Sequence, residues 1–328
     1  MSTITYSNLT LSEQIKQIGP DGMTMDVVNT LIEENEILKD AVFEEANEGF
    51  SNLGVKVLEL PTIGARRIND GASGGVVKSE RHREVVQILE ARPGYDKLLL
   101  DSQNNPQTAR KNQVMGFVEA MAQAQADAII YGNNDTDADE IDGLTTRYNL
   151  STLSNVTKAG GSGSDTTSLW MVEWRPDRCK MIYPRGASSC GIVHEDKGEQ
   201  VLTNSTSGKR YDGYEDMLRV SFGLDILDDD CIQRLVNIES AADAESGAIM
   251  SSGVMNLLIA AKNRLPKKGK NAVIYCNVDI LTQFEILADN RLLGCWRTQD
   301  VFGDAVLMYK NMPIRVVEAI LSTETALA

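Results

Sequence analysis

The sequence lacks any run of eighteen or more apolar residues, the length a membrane-spanning helix needs, so no spanning helix is expected. It is poor in histidine: His82 and His194 are the only two. A histidine-rich metal site is thereby excluded, and a catalytic triad would have to draw on one of these two. Five cysteines are present, Cys179, Cys190, Cys231, Cys276 and Cys295, with no C-x-x-C pair. An odd, scattered set argues against both a disulfide framework and a zinc knuckle, so all five are read as reduced thiols holding no metal. The start, MSTITYSNLTLSEQ, has neither the basic residues nor the apolar core of a signal peptide. Folding in the cytosol is therefore expected, and the N-x-S/T matches at Asn8, Asn149, Asn155 and Asn204 carry no sugar. Positive charge is also in deficit: 32 Lys and Arg face 47 Asp and Glu, a net of −15. A protein that grips DNA needs clustered cations to displace counterions from phosphate. This composition excludes most nucleic-acid enzymes, yet it suits a container wall that DNA slides past.

What is present is enough chain for a sizeable core. At 328 residues roughly 75% of the unfolded surface can be buried. The first fifty residues predict two short amphipathic helices; the second puts Val27, Val28, Leu31 and Ile32 on one face and runs acidic to Glu48. From Gly54 the pattern is β-prone (Val55, Val57, Leu58, Leu60), then polar through IGARRINDGASGG, then β-prone again through Val85, Val86, Ile88 and Leu89. It predicts a two-stranded arm with a glycine-rich tip, roughly 35 Å long at about 3.3 Å per residue. An isolated ribbon of this kind is barely stable in water, so it needs something to lie on. Asn105 as N-cap, Pro106 at the first turn and Gly132 as the stop then frame a long helix over 107–131. Its apolar residues include Val114, Phe117, Val118, Met121 and Ile129. Residues 165–240 are strand-rich, with alternation in TSLWMVEW and at Leu218, Val220, Phe222, Leu224 and Ile226. The remainder alternates: a helix near 248–264, the strand AVIYC, a helix capped by Asn277 or Asp279, and two strands turning at Lys310–Pro313. The class is α+β.

Candidate chemistry is sparse. GASGG at 71–75 spells the G-x-S-x-G elbow with Ser73 as nucleophile, but the elbow needs a buried strand before it and a helix after it; ARRIND and VVKSERHR are neither. DTDADEIDG at 135–143 spaces Asp135, Asp137 and Asp139 as a calcium loop does, yet Glu140 stands where glycine is required and Thr146 where the last glutamate belongs. AGGSGSD at 159–165 lacks the lysine and helix of a phosphate loop. His194, in GIVHEDKGE, sits beside carboxylates in a predicted turn. No catalytic residue, cofactor or metal is assigned.

An acidic helical arm, a β-arm, a spine helix and an α/β terminal part, in that order, resemble the Hong Kong-type capsid fold of tailed double-stranded DNA phages. Within that family the chain is similar to the major capsid proteins of the short-tailed branch that includes epsilon fifteen. The likeness is carried by ELPTIGARRINDG, YGNNDTDADEIDGLTTRYN, GGSGSDTTSLWMVEWRPDRCKMIYPRG, HEDKGE and NMPIRVVEAILSTE, in their order and spacing. It implies an N-terminal arm (1–53), an extended β-arm lying over a neighbouring subunit (54–95), a peripheral domain with the spine helix 107–131 and strands 165–240 (96–245), and an axial domain (246–328). In the commonest form of the fold the peripheral strands follow the axial domain, so the order here reads as permuted. The Val114–Phe117–Met121 face is expected to cover Val220, Phe222 and Leu224.

The function implied is structural: self-assembly into hexamers and pentamers of an icosahedral head that encloses the genome without sequence-specific binding. With only about 105 residues before the spine helix, a separate scaffolding protein is expected, with a portal and a decoration or cement protein. The location implied is the virion, assembled in the host cytoplasm. A nanocompartment shell of the same fold is the nearest alternative, and a serine hydrolase using Ser73 the remote one. Some relatives cross-link through a loop lysine; Lys78 is the only lysine between residues 57 and 96, and no acceptor is identified. Charge suggests an inter-subunit latch. Residues 33–48 carry Glu33, Glu34, Glu36, Asp40, Glu44, Glu45 and Glu48 against Lys39, a net of −6. Residues 66–83 carry Arg66, Arg67, Lys78, Arg81 and Arg83 against Asp70 and Glu80, a net of +3.

Overall fold

The computed structural model describes residues 36–71, 74–102, 105–187, 191–204, 208–239, 252–290, 296–301 and 304–327. The predicted helix around Val27–Ile32, together with Glu33, Glu34, Ser73, Cys190 and Cys295, lies outside them. Helix α1 (Glu36–Asp40) precedes strands β1 (Phe43–Glu45), β2 (Ser51–Glu59), β3 (Lys78–Val85), β4 (Gln87–Ala91) and β5 (Gly94–Asp96). Helices α2 (Lys97–Asp101), α3 (Pro106–Tyr131) and α4 (Leu144–Arg147) follow. Next come β6 (Val156–Lys158), β7 (Thr166–Val172), β8 (Cys179–Tyr183), β9 (Val193–Thr203), β10 (Arg210–Ile226) and β11 (Ile232–Glu239). Helix α5 (Ser252–Arg264), β12 (Val273–Cys276), α6 (Val278–Asn290), β13 (Trp296–Val301), β14 (Asp304–Tyr309) and β15 (Met312–Val316) complete the order.

Two compact units share these elements among the described residues, one drawn from the stretches 88–125 and 191–221, the other from 36–87, 126–187 and 222–327. In the first, β10 pairs antiparallel with β9 (Arg210↔Thr203 to Arg219↔Val193) and with β5. Its core is small: Tyr95, Leu100 and Ala109, with Tyr214 against them. Helix α3 starts as its caps predict, since the Asn105 side chain accepts from Thr108 N at 3.4 Å. Of the face expected to cover the strands, Met121 is buried, Val114 half-buried and Phe117 still 36% exposed. No residue from Lys111 to Ala120 is buried.

The second unit holds a seven-stranded sheet in the order β13-β14-β15-β12-β7-β11-β6. Leu169, Met171, Leu235, Ile274 and Ile314 pack there with Val254, Leu258 and Ala261 of α5 and Ile280 and Phe284 of α6. Asn277 is the residue that caps α6, accepting from Ile280 N at 3.0 Å. Strand β7 is buried along its whole length, not on alternate residues as TSLWMVEW suggested, because both faces of this central strand are covered. Two strands lie across the expected division at 245/246. Strands β7 and β11, from the 165–240 stretch, pair with each other and β7 pairs with β12.

Cys179, Cys231 and Cys276 are buried free thiols, and burial pushes the Cys179 and Cys276 thiols well up. The thiolate is the reactive form. In the folded protein at pH 8, iodoacetamide should label these three far more slowly than after denaturation. Rapid labelling, or a defined disulfide under non-reducing mass spectrometry, would refute this.

Candidate assembly surface

Strands β2 and β3 form a two-stranded antiparallel sheet of their own, from Ser51↔Val85 to Glu59↔Lys78. The return strand is KSERHREV and not the apolar run 85–89 that the sequence suggested. A ribbon with solvent on both sides is held by its backbone ladder, so its second strand needs no apolar alternation. Residues 87–91 and 94–96 belong instead to β4 and β5.

The root of the ribbon is tied down by buried polar groups. Asn52 Nδ2 donates to Asp225 Oδ2 at 2.7 Å, and Arg147 clasps Glu84 through two bonds of 2.5 and 2.7 Å. Burial pushes the Asp225 carboxyl above its ordinary value, with Asn52 and Lys180 pulling it back. Asn47 brackets the same strand, donating to Leu53 O at 2.7 Å and accepting from Leu53 N at 2.8 Å. At Gly54 a Cβ would stand 2.5 Å from Leu227 Cδ2, so a side chain there would have to displace the end of Leu227.

Beyond Gly54 the arm is bare. Val55, Val57 and Leu58 are about 60% exposed, and Leu60, Ile63, Ile68 and Val76 more than 80%. A Val, Leu or Ile side chain is worth about 1.5–3 kcal/mol when fully buried. On the order of 10 kcal/mol of apolar contact is thus left unmade within the subunit.

The charges singled out in the sequence divide between the two roles. Glu36 pairs with Arg315 at 3.2 Å, and Glu44 with Lys180 at 2.5 Å. Glu45 accepts from Gly186 N at 2.8 Å. Glu44 and Glu45 lie not on a helix but on β1, paired parallel with β8. Lys78 pairs with Glu59 at 2.6 Å and Arg83 with Glu48 at 3.2 Å, both inside the subunit. Arg66 Nε donates to Asp70 O at 2.6 Å at the exposed tip; among the described residues neither Arg67 nor Arg81 makes an ion pair. Half of the expected latch is therefore spent at home. The clasp residues Asn52, Glu84, Arg147 and Asp225 escaped the sequence reading because their partners are 63 and 173 positions away.

The remaining candidates are structural in setting. His194 Nε2 lies 3.0 Å from Asp216 Oδ1, and Asp216 also accepts two bonds from Arg110 at 2.7 and 2.8 Å. Among the described residues no hydroxyl or thiol bonds His194. In the Asp135–Asp142 loop the carboxylates answer backbone N–H groups: Asp137 Oδ1 accepts from Asp139 N at 3.1 Å, and Asp142 Oδ1 from Asn134 N at 3.2 Å. Among the described residues no three His, Cys, Asp or Glu side chains converge as a metal site, and no described helix is long and apolar enough to cross a membrane.

The family described as "Major capsid protein GP7" matches residues 19–328. Among solved structures, that of bacteriophage epsilon15 superposes with a TM-score of 0.73 at 26% identity, over 100% of this chain and 99% of that one. The bacteriophage JBD30 capsid follows at TM-score 0.48 and 10% identity, over 89% and 93%. An encapsulin complex from Synechococcus elongatus follows at 0.47 and 9%, over 71% and 97%. No curated protein sequence matches the chain.

Proposed function

The chain belongs to the major capsid protein GP7 family, and from that premise we propose that it builds the head by laying its apolar arm on a neighbouring copy. The capsid role itself follows from the family and from the epsilon15 likeness. The observation that carries the arm's part is its row of exposed aliphatic side chains beyond an anchored root. Hexamers and pentamers of one subunit form the icosahedral shell, with a separate scaffolding protein, a portal and a decoration or cement protein as partners. Assembly takes place in the host cytoplasm. The peripheral role belongs to the spine-helix part and the axial role to 246–328 together with the β7 and β11 strands paired to it. The subunit works by contact, as the structural role of its family supports. Electron microscopy of purified protein tests the reading; closed shells are expected, and a stable monomer with its arm folded on its own body would sink it.

The latch is part of the same proposal, reduced to two tip cations that form no ion pair among the described residues. Arg66 and Arg67 meet the acidic N-terminal segment of the next copy, and such pairs set register more than affinity, at about 0–1 kcal/mol each. Reversing both to Glu should slow or misdirect assembly, most at low salt, while the subunit melts unchanged. Light-scattering kinetics across a salt series checks this, and an unaltered salt dependence would remove the latch.

A further inference from the structure

One patch runs against the acidity of the chain. Residues 262–270 carry Lys262, Arg264, Lys267, Lys268 and Lys270 and no carboxylate. The β14–β15 turn brings Lys310 to the same place: Met312 Sδ, Leu265 Cδ1 and Lys262 Cγ lie 3.0–3.5 Å from where a Cβ on Gly269 would stand. Lys267, Lys268, Lys270 and Lys310 are exposed. Lys262 is half-buried, and burial, Lys310 and Lys268 together push its ammonium below the usual lysine range. Arg264 is used within the subunit, donating to Ser154 O at 2.8 Å and Thr157 Oγ1 at 3.2 Å. The five lysines make no ion pair among the described residues.

The backbone under these lysines is strained. Six non-glycine residues of the described chain have positive φ, and four are here: Lys267 (47°), Lys268 (60°), Lys310 (47°) and Asn311 (72°). Left-handed backbone sets a Cβ against the carbonyl oxygen, a cost that glycine escapes and asparagine lessens. Three lysines occupying such positions, where a cheaper residue would make the same turn, point to a use for their charge.

A complement is carried by the same chain. The loop between α3 and α4 holds Asp135, Asp137, Asp139, Glu140 and Asp142, with no Lys or Arg from Gly132 to Thr146. Asp135, Asp137 and Asp139 are exposed, and among the described residues the run makes no ion pair. Some acidic residues elsewhere are answered at home, as Glu44 is by Lys180 and Asp228 by Arg178. We propose that the lysine knob of one subunit receives the 133–142 loop of a neighbouring copy, a heterologous contact separate from that of the arm. It rests on the self-assembly reading.

The test uses the full chain in three forms: K267E/K268E/K310E, D135K/D137K/D139K, and the two sets combined. Each reversal alone should raise the concentration needed for assembly about tenfold or more at low salt, with several pairs lost together. The combined variant should recover most of the yield. A fourth variant, K267G/K268G, removes charge and strain at once; its unassembled subunit should melt about 1–3 °C higher while assembling less well. Wild-type yield and salt dependence in the knob reversal would overturn the proposal and leave the capsid reading standing. So would a combined variant no better than its parents. Normal assembly with weakened binding to duplex DNA would also overturn it, assigning the knob to phosphate. A wild-type chain that never assembles, even with its scaffolding partner supplied, would overturn both readings.

Discussion

Replacing Arg234 by alanine is expected to lower subunit stability by about 3–5 kcal/mol, because it leaves a buried carboxylate without its cation. The Arg234 side chain is 5% exposed and the Glu324 side chain 9%, with Nη2 3.2 Å from Oε2. The guanidinium also donates to Ser168 Oγ at 2.9 and 3.2 Å and to Tyr148 O at 2.9 Å, and lies over the Trp170 ring at 4.7 Å. Glu324 in turn accepts from Tyr131 Oη at 2.6 Å and from Ser168 Oγ. Around it the C-terminal strap is laced to the sheet: Thr166 N and Glu324 N each donate to the other's carbonyl, at 3.3 and 2.7 Å. Asn237 and Leu327 exchange two more bonds. Burial pulls the Arg234 guanidinium below its usual range, with Glu324 opposing, so the pair is held at a cost and fails badly when halved. The melting temperature should fall on the order of 10 °C. Removing both charges, as R234M/E324L, should restore part of that, since an apolar pair leaves no orphaned charge. Thermal unfolding of the three proteins decides it; a loss under about 1 kcal/mol in R234A would show the pair to be solvated.

Polar substitution along the arm should have the opposite profile, with assembly lost and the subunit intact. V55T/V57T/L60S changes side chains that are 62%, 60% and 81% exposed, so the isolated subunit should melt within about 1 °C of wild type, as surface changes do. If the arm lies on a neighbour, each change removes about 1–2 kcal/mol at every inter-subunit contact. Together they should raise the assembly threshold by about 100-fold or more. Sedimentation over a concentration series, with melting of the unassembled protein alongside, separates the two effects. Normal shells from this variant would mean that the arm lies in solvent in the particle as well.

Much of the organisation is written in local pattern. The Asn105–Pro106 start and Gly132 stop give α3 to within one residue, and the Leu218–Ile226 alternation gives the end of β10, because caps and two-residue periodicity are properties of neighbours along the chain. The arm is legible in the β-prone run Val55–Leu60 followed by the polar, glycine-rich segment to Gly75. Its return strand was misplaced because pattern finds burial, and KSERHREV is not buried. The clasp and the Arg234–Glu324 pair were not legible at all: an isolated Arg or Glu in a strand says nothing of a partner 63 or 90 positions away.

The sequence by itself therefore determined the class, the long helix, the exposed arm and the shortage of catalytic groups, since composition and short-range spacing suffice for each. Only the tertiary structure decided which strands share a sheet and which charges remain free. Thr166–Val172 could have gone with the helix before it or with the strands after it, and its pairing with Val273–Tyr275 placed it in the latter. Glu36, Glu44, Lys78 and Arg83 look as free in the sequence as Arg67 and Arg81 do. Their partners are set by distance in space, where an ion pair forms or fails within 4 Å, and no count of charges along a chain measures that.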